Sequence, residues 1–140
     1  MKINEIMTTD VEVVAPDATI KEAAQRMAKL GVGALPVWDG ERLIGMVTDR
    51  DLVVRAVAEG LDPVETSVRD CMSPKIVSCF EDQSVEEVCH TMEEQQIRRL
   101  PVMSRDKHLV GIVAIGDLAI KADEEEQVGH TLQEISQPAA

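Results

Sequence analysis

The sequence predicts a mixed α/β (α+β) protein made of two copies of one strand–helix–strand–strand–helix unit. The first observation behind this is an internal repeat. Met7 and Met72 lie 65 positions apart, and the same offset pairs Ile20 with Val85, Met27 with Met92, and Leu35-Pro36-Val37 with Leu100-Pro101-Val102. One inserted residue later, an offset of 66 pairs Gly45-Met46-Val47 with Gly111-Ile112-Val113 and Asp51-Leu52 with Asp117-Leu118. The second observation is the change of periodicity inside each copy, from helical spacing to short apolar and β-branched runs. Two copies of about sixty residues are expected to fold as halves related by a pseudo-twofold axis, which creates a shared cleft where a ligand fits. A unit of that size buries only about 60% of its extended surface, so the copies are expected to share one core.

In chain order, residues 3–6 and 68–71 read as short helical turns leading into Met7 and Met72. Glu12-Val13-Val14 and Lys75-Ile76-Val77 are brief β-branched runs and read as first strands. Thr19 opens the first helix with Glu22 three residues on, and Ser84 opens its counterpart with Glu87 in the same place, both in the form of a capping box. Ile20, Ala23, Ala24, Met27 and Leu30 keep helical spacing in the first copy; Val85, Val88, Cys89 and Met92 keep it in the second. Gly31 is placed to end the first helix. A hairpin follows in each copy. Residues 34–38 and 43–47 flank the turn signal Asp39-Gly40, while residues 100–103 and 109–113 flank a longer polar turn through Ser104, Arg105 and Asp106 that holds the inserted residue. Second helices are predicted from about Asp49 and about Gly116, with Gly60, Asp62 and Pro63 punctuating the junction between copies. Beyond Asp123, the charge run Glu124-Glu125-Glu126 reads as a solvated face, and Val128, Leu132 and Ile135 predict a short docking helix.

Composition narrows the function. The net charge of −12 repels a phosphate backbone and an anionic membrane surface, so neither nucleic acid nor membrane is an expected partner. With one Trp, one Phe and no Tyr, the chain has no stacking platform for bases, and a bound nucleotide must be gripped by aliphatic walls, backbone groups and a few charges. No apolar run approaches the roughly 20 residues of a membrane helix, and Met1-Lys2-Ile3-Asn4-Glu5 has no signal-peptide character. Cys71, Cys79 and Cys89 form no CxxC pair, which fits reduced thiols in small core positions and a cytoplasmic protein.

Chemistry concentrates where a strand gives way to a helix. In Gly45-Met46-Val47-Thr48-Asp49-Arg50-Asp51-Leu52 the free N–H groups of the helix start favour an anion. The Thr48 hydroxyl can donate to a phosphate oxygen, and the two oxygens of Asp51 can receive both hydroxyls of a ribose diol, a set suited to a nucleoside phosphate. The same Thr48-x-x-Asp51 is also a capping box in form and needs no ligand. In the second copy, Ala114 replaces Thr48 while Asp117 remains, which a pure capping box does not require and ribose recognition does. A dipole-stabilised Asp is the remaining alternative. Arg98-Arg99, two adjacent cations before an apolar strand, read either as surface ion pairs with Glu93 or Glu94 or as a phosphate clamp. The equivalent Gly33-Ala34 carries no charge, so the two sites are unequal.

The chain resembles a tandem pair of CBS (cystathionine β-synthase) domains, also called a Bateman module. The resemblance rests on Met7-Thr8 and Met72-Ser73, the two Leu-Pro-Val strands and the Gly-x-Val-Thr-x-x-Asp-Leu close, and it covers about residues 1–122. It implies β-α-β-β-α repeats at 1–62 and 63–122, an acidic C-terminal tail at 123–140, and dimerisation. It also implies an adenosyl ligand: AMP, ADP, ATP, S-adenosylmethionine or a dinucleotide such as NAD. Carried over, Asp51 and Asp117 hold the riboses, Thr48 meets a phosphate, as do Arg98 and Arg99, and Arg50 in the same close is counted with the nucleotide-binding residues. The backbone of Gly33, Ala34, Leu35 and Pro36, and of Arg99, Leu100 and Pro101, lines the adenine. Thr8, Val11, Ser73 and Ile76 close the pockets. Ala114, where the family often has Thr or Ser, is the departure.

The expected function is therefore a stand-alone regulatory module, an energy or metabolite sensor binding AMP or another adenosyl compound in the cleft between repeats. It is expected to act as a homodimer on a protein the sequence does not name. The alternative is a ligand-independent dimerisation or interaction module. An enzyme is not expected: His90, His108 and His130 join no HExxH, GxSxG or Cys–His pattern, so neither catalytic residues nor a metal site are expected.

Overall fold

The computed structural model describes residues 1–122 and 125–138. Its elements are α1 (Ile20–Leu30), β1 (Ala34–Trp38), β2 (Leu43–Thr48), α2 (Asp49–Leu52), β3 (Cys79–Phe80), α3 (Val85–Gln95), β4 (Arg99–Met103), β5 (Leu109–Ala114), α4 (Ile115–Lys121) and α5 (Glu125–Ile135). Short 3-10 turns at Ile3–Glu5 and Val68–Asp70 stand where helical turns are expected. α2 runs on into a wider π-helical stretch, Val53–Val57.

Local chemistry sets the element ends. Thr19 Oγ1 accepts the Glu22 N–H and Ser84 Oγ accepts the Glu87 N–H, each at 3.1 Å. Glu87 completes the box by accepting the Ser84 N–H at 3.4 Å. α1 stops at Gly31, whose left-handed φ of 68° costs glycine little. Antiparallel pairing runs from Ala34–Thr48 to Trp38–Leu43 in one hairpin and from Arg99–Ala114 to Met103–Leu109 in the other. The second loop is one residue longer, which locates the insertion. Asp39 Oδ1 folds the first loop by accepting the N–H groups of Glu41 and Arg42 at 2.9 Å each.

The first strands differ from expectation. Of Glu12-Val13-Val14, only Val14 pairs, in parallel with Val37. In the second copy the pairing falls on Cys79–Phe80, against Val102–Met103, and not on Lys75-Ile76-Val77. The repeat offset accounts for this, since Val14 corresponds to Cys79.

The chain forms two compact units, one of Glu12–Ile76 and the other of Met1–Val11 with Val77–Ala140. Each closes its own core, which corrects the expectation of a shared one. The first core gathers Val14, Ile20, Ala23, Met27, Leu35, Val37, Val47, Leu52 and Ala56, and takes Val68 and Cys71 from the chain after its own repeat. The second gathers side chains from Cys79 to Ile135 and takes Ile3 and Ile6 from the start of the chain. Borrowed segments thus supply the apolar area that about sixty residues alone lack.

Each borrowed segment is held in the same way. Ser73 exchanges backbone hydrogen bonds with Met46 at 2.8 and 3.1 Å, and Thr8 exchanges them with Ile112 at 2.9 and 3.0 Å, so each adds an edge to its hairpin. The neighbouring glycine makes this approach possible. A Cβ on Gly45 would strike the Ser73 carbonyl oxygen, and one on Gly111 would lie 2.6 Å from Met7 Sδ and 2.9 Å from Thr8 O.

α5 packs on α3. Val128 and Ile135 are buried as predicted, but the third seat belongs to Thr131, fully buried, while Leu132 is 47% exposed. The cause is polar. Thr131 Oγ1 donates to Glu93 Oε1 at 2.7 Å, and Gln127 Nε2 and His130 Nδ1 reach the same oxygen at 3.4 and 3.1 Å. Asp123 and Glu124, the start of the predicted acidic run, lie outside the described residues.

Gly45→Ala and Gly111→Ala should each destabilise the fold by about 1–3 kcal/mol through overpacking, read as lower midpoints in chemical denaturation. The docking of α5 should also depend on pH. Burial alone would raise the Glu93 carboxyl, but the hydrogen bonds from Thr131 and His130 outweigh it and hold it below the ordinary 4.5. The hydrogen bond to Glu93 raises His130 above 6.5. The His130 contribution is complete below pH 6.5 and fades as pH rises through its raised value; that of Glu93 is complete above pH 4.5 and fades as pH falls through its lowered value. Hydrogen exchange of α5 amides should therefore be slowest, relative to opening in the rest of the unit, between about pH 4.5 and 6.5.

Candidate functional site

β-strand alternation sorts the candidate residues first. In β1, Leu35 and Val37 enter the core, and in β4 Leu100 and Val102 do, all 2% exposed or less. Leu35 and Leu100 therefore have only backbone to offer a ligand. Ala34 and Pro36 lie on the opposite sheet face with Thr48 and Met46, their register partners. Arg99 and Pro101 lie on the corresponding face with Ala114 and Ile112. Ser73 joins the first of these faces through Met46, and Thr8 joins the second through Ile112. The exchange of segments thus regroups the sequence candidates. Ser73 accompanies Ala34, Pro36 and Asp51, whereas Thr8 accompanies Arg99, Pro101 and Asp117. Among the described residues this pairing does not extend to Val11 or Ile76; Val11 N–H bonds locally to Thr9 O at 2.9 Å, and Ile76 is 49% exposed.

At the first strand-to-helix corner the capping box is made in full. Asp51 Oδ2 accepts the Thr48 N–H at 2.9 Å, and Thr48 Oγ1 accepts the Asp51 N–H at 3.1 Å. At the second corner, Asp117 Oδ2 accepts the Ala114 N–H, again at 2.9 Å, with no hydroxyl in return. The backbone is nearly the same at both caps, φ −116° and ψ 162° at Thr48 against φ −114° and ψ 157° at Ala114. This revises one step of the sequence argument. Asp117 has a capping task without a Thr, so its presence alone does not require a ligand.

Sequence reading missed the cation that holds each aspartate's other oxygen. Arg55 Nε lies 3.9 Å from Asp51 Oδ1, and Lys121 Nζ lies 4.0 Å from Asp117 Oδ1, each four residues further along the helix. The same cations grip the borrowed segments. Arg55 donates to Met72 O at 3.0 Å and to Cys71 O at 3.4 Å, and Lys121 donates to Ile6 O at 3.3 Å. Arg55 and Lys121 are 66 positions apart, so the repeat offset was the signal that could have found them. The aspartate side chains stay 17% and 24% exposed, and each carboxylate keeps unfilled lone pairs with which to accept further hydrogen bonds.

The remaining candidates divide by charge. Glu93 is engaged by Thr131 and His130, and Glu94 by His90 at 2.9 Å, so the expected ion pairs of Arg98 and Arg99 with these acids are not made. Among the described residues neither arginine side chain has a partner; Arg98 is exposed and Arg99 half-buried. Gly33 O accepts the Asp49 N–H at 2.9 Å, and the Asp49 carboxylate lies over Gly33, its Oδ2 2.9 Å from where a Cβ would stand. Arg50 is exposed. His90 and His130 line a separate hollow beside Glu93 that contains none of the candidates, and both are ion-paired to glutamates when protonated.

These features define a class: a duplicated α/β module with a capped, partly open aspartate at an equivalent corner of each unit. The CBS domain family matches at residues 3–57 and again at 68–123, and the chain belongs to that family. It is 43% identical over 134 residues to the CBS domain-containing protein YhcV of Bacillus subtilis (strain 168), covering 96% of this chain and 94% of that protein. The structure of a putative signal-transduction protein with CBS domains from Burkholderia ambifaria MC40-6 superposes with TM-score 0.80 at 29% identity, over 90% of this chain and 96% of that one. That of Hypoxic Response Protein I with two coordinated zinc ions superposes with TM-score 0.78 at 38% identity, over 86% and 98%. In the present chain no group of three or more His, Cys, Asp or Glu among the described residues is placed to hold a metal ion. Among those residues, no helix is long and apolar enough to cross a membrane.

Ala114→Thr should stabilise the protein by about 1 kcal/mol, because a hydroxyl at this cap would accept the Asp117 N–H as Thr48 does for Asp51. A higher denaturation midpoint would bear this out, and an unchanged or lower one would count against equivalence of the two caps.

Proposed function

We propose that the protein is a regulatory module that binds adenosine-containing ligands at the two aspartate corners and reports their level to another protein. The observation that carries this reading is the pair of carboxylates fixed at equivalent corners, each bound to backbone through one oxygen and still able to accept from a vicinal diol. Asp51 and Asp117 receive the riboses. Ala34 and Pro36 on one unit, and Arg99 and Pro101 on the other, flank the adenines, with Gly33, Leu35 and Leu100 contributing backbone. Thr8 and Ser73 close the sites from the borrowed segments, with Val11 and Ile76 just beyond them. Thr48, Arg50, Arg98 and Arg99 face whatever the 5′ carbon carries. AMP, ADP, ATP, S-adenosylmethionine and NAD all present the adenosyl part. The protein acts by binding rather than by catalysis, as a sensor of energy state or of a metabolite in the cytoplasm.

A homodimer belongs to the same proposal. Val53, Val54 and Val57 on the extension of α2 are 57%, 48% and 69% exposed, and Ile120 on α4, the counterpart of Val54 in the repeat, is 85% exposed. Such side chains suit a contact with another protein. A ligand-independent interaction module would use the same surface but ignore nucleotides.

Ligand at a hundredfold its dissociation constant stabilises the native state by about 2.7 kcal/mol. Melts in the presence of AMP, ATP, S-adenosylmethionine and NAD should therefore show a clear upward shift with at least one of them. No shift with any at millimolar concentration would refute the adenosyl reading and favour the interaction module.

A further inference from the structure

Equivalent positions of the two units differ in charge where the 5′ substituent of an adenosyl ligand would lie. This inference rests on the ribose assignment of Asp51 and Asp117. In the unit that contains Asp117, Arg98 and Arg99 enter β4 side by side. Arg99 faces Ala114 in register, and Arg98 O accepts the Ile115 N–H at 2.8 Å, so both stand next to the Asp117 cap. Lys121, the other cation there, is already spent on Asp117 and Ile6 O. The two guanidinium groups remain without a partner among the described residues.

In the unit that contains Asp51 the same two positions are Gly33 and Ala34. The counterpart of Ile115 is Asp49, whose carboxylate occupies the space over Gly33. An anion thus stands over the residue position that in the other unit carries Arg98. Arg55 is held by Asp51 and by two carbonyls. Arg50 is flanked by Asp49 and Asp51, so the stretch 48–51 remains net negative. A phosphate dianion would gain paired hydrogen bonds beside Asp117 and meet like charge beside Asp51.

We infer that the two sites select ligands of different charge. The Asp117 site takes a 5′-phosphorylated adenosine, and the Asp51 site takes an adenosyl compound whose 5′ group is uncharged or cationic. At the Asp51 site the Thr48 hydroxyl then meets an uncharged or cationic 5′ group instead of the phosphate that its sequence context suggests.

AMP and adenosine differ only by the phosphate and are the probes. Calorimetric titration of the full chain should find a site preferring AMP and another preferring adenosine. Arg98→Ala with Arg99→Ala should lower the ratio of AMP to adenosine affinity at the Asp117 site at least tenfold, with little risk to folding because neither side chain has a hydrogen bond or ion pair among the described residues. Asp49→Asn should raise AMP affinity at the Asp51 site severalfold and leave the Asp117 site alone. An unchanged ratio of AMP to adenosine affinity in the arginine double variant overturns the assignment while the adenosyl reading stands. Failure of the wild type to bind either probe overturns the charge assignment, and the melts with ATP, S-adenosylmethionine and NAD then decide the adenosyl reading separately.

Discussion

The close approach of a borrowed segment to a glycine in the middle of a strand is the constraint on which the structure depends. Gly45 and Gly111 leave room for the backbones of Ser73 and Thr8 to pair with β2 and β5. This pairing sets the turns at Val68–Asp70 and Ile3–Glu5 against a core to which neither belongs by sequence order. Val68 and Cys71 on one side, Ile3 and Ile6 on the other, are then wholly buried or nearly so. A side chain at either glycine would separate the edge from the hairpin, and the apolar residues behind it would lose their seats. The gain is cooperative, since one glycine admits a whole segment rather than one contact.

The proposed function draws on the same junctions. The aspartate at each corner caps a helix, and the cation four residues later ties that aspartate to the borrowed backbone. Asp51, Arg55 and the carbonyls of Cys71 and Met72 form one such chain of polar contacts; Asp117, Lys121 and the carbonyl of Ile6 form the other. A ligand that engages the carboxylate necessarily acts on a group that already links helix, strand end and borrowed segment. Under the proposed function, this arrangement would give a small molecule mechanical access to the element that completes each core. It also means that removing the carboxylate perturbs the helix start as well as any ligand, so Asp variants alone cannot separate the two tasks.

Much of this was legible in the sequence because repetition doubles the evidence. The Leu-Pro-Val strands, the Thr19 and Ser84 caps, the Gly31 stop and the inserted residue of the second hairpin all rest on local rules, and the structure follows them. The first copy's strand shrinks to a single bridge at Val14 and the second copy's moves from 75–77 to Cys79–Phe80, because β-branched runs carry propensity whereas the pairing is fixed by neighbours distant in sequence. The exchange of segments could not be read locally, since nothing in Met7-Thr8 states which hairpin it will join. The burial of Thr131 in place of Leu132 was hidden for a related reason: a hydroxyl enters the core only because Glu93, on another helix, accepts its proton. The aspartates stand at equivalent helix caps, and the step from Asp117 to a ligand is not compelled, because an N–H at Ala114 needs an acceptor in any case.

The central claim is that adenosyl ligands reach the carboxylates of Asp51 and Asp117. The amides of Thr48 and Ala114 each donate to one of those carboxylates, which makes them direct reporters. In an amide-resolved NMR titration of the full chain with AMP and with adenosine, these two amide resonances should be among the most strongly shifted, saturating with the binding curve. Saturable binding that moves other amides and leaves Thr48 and Ala114 in place would contradict the account.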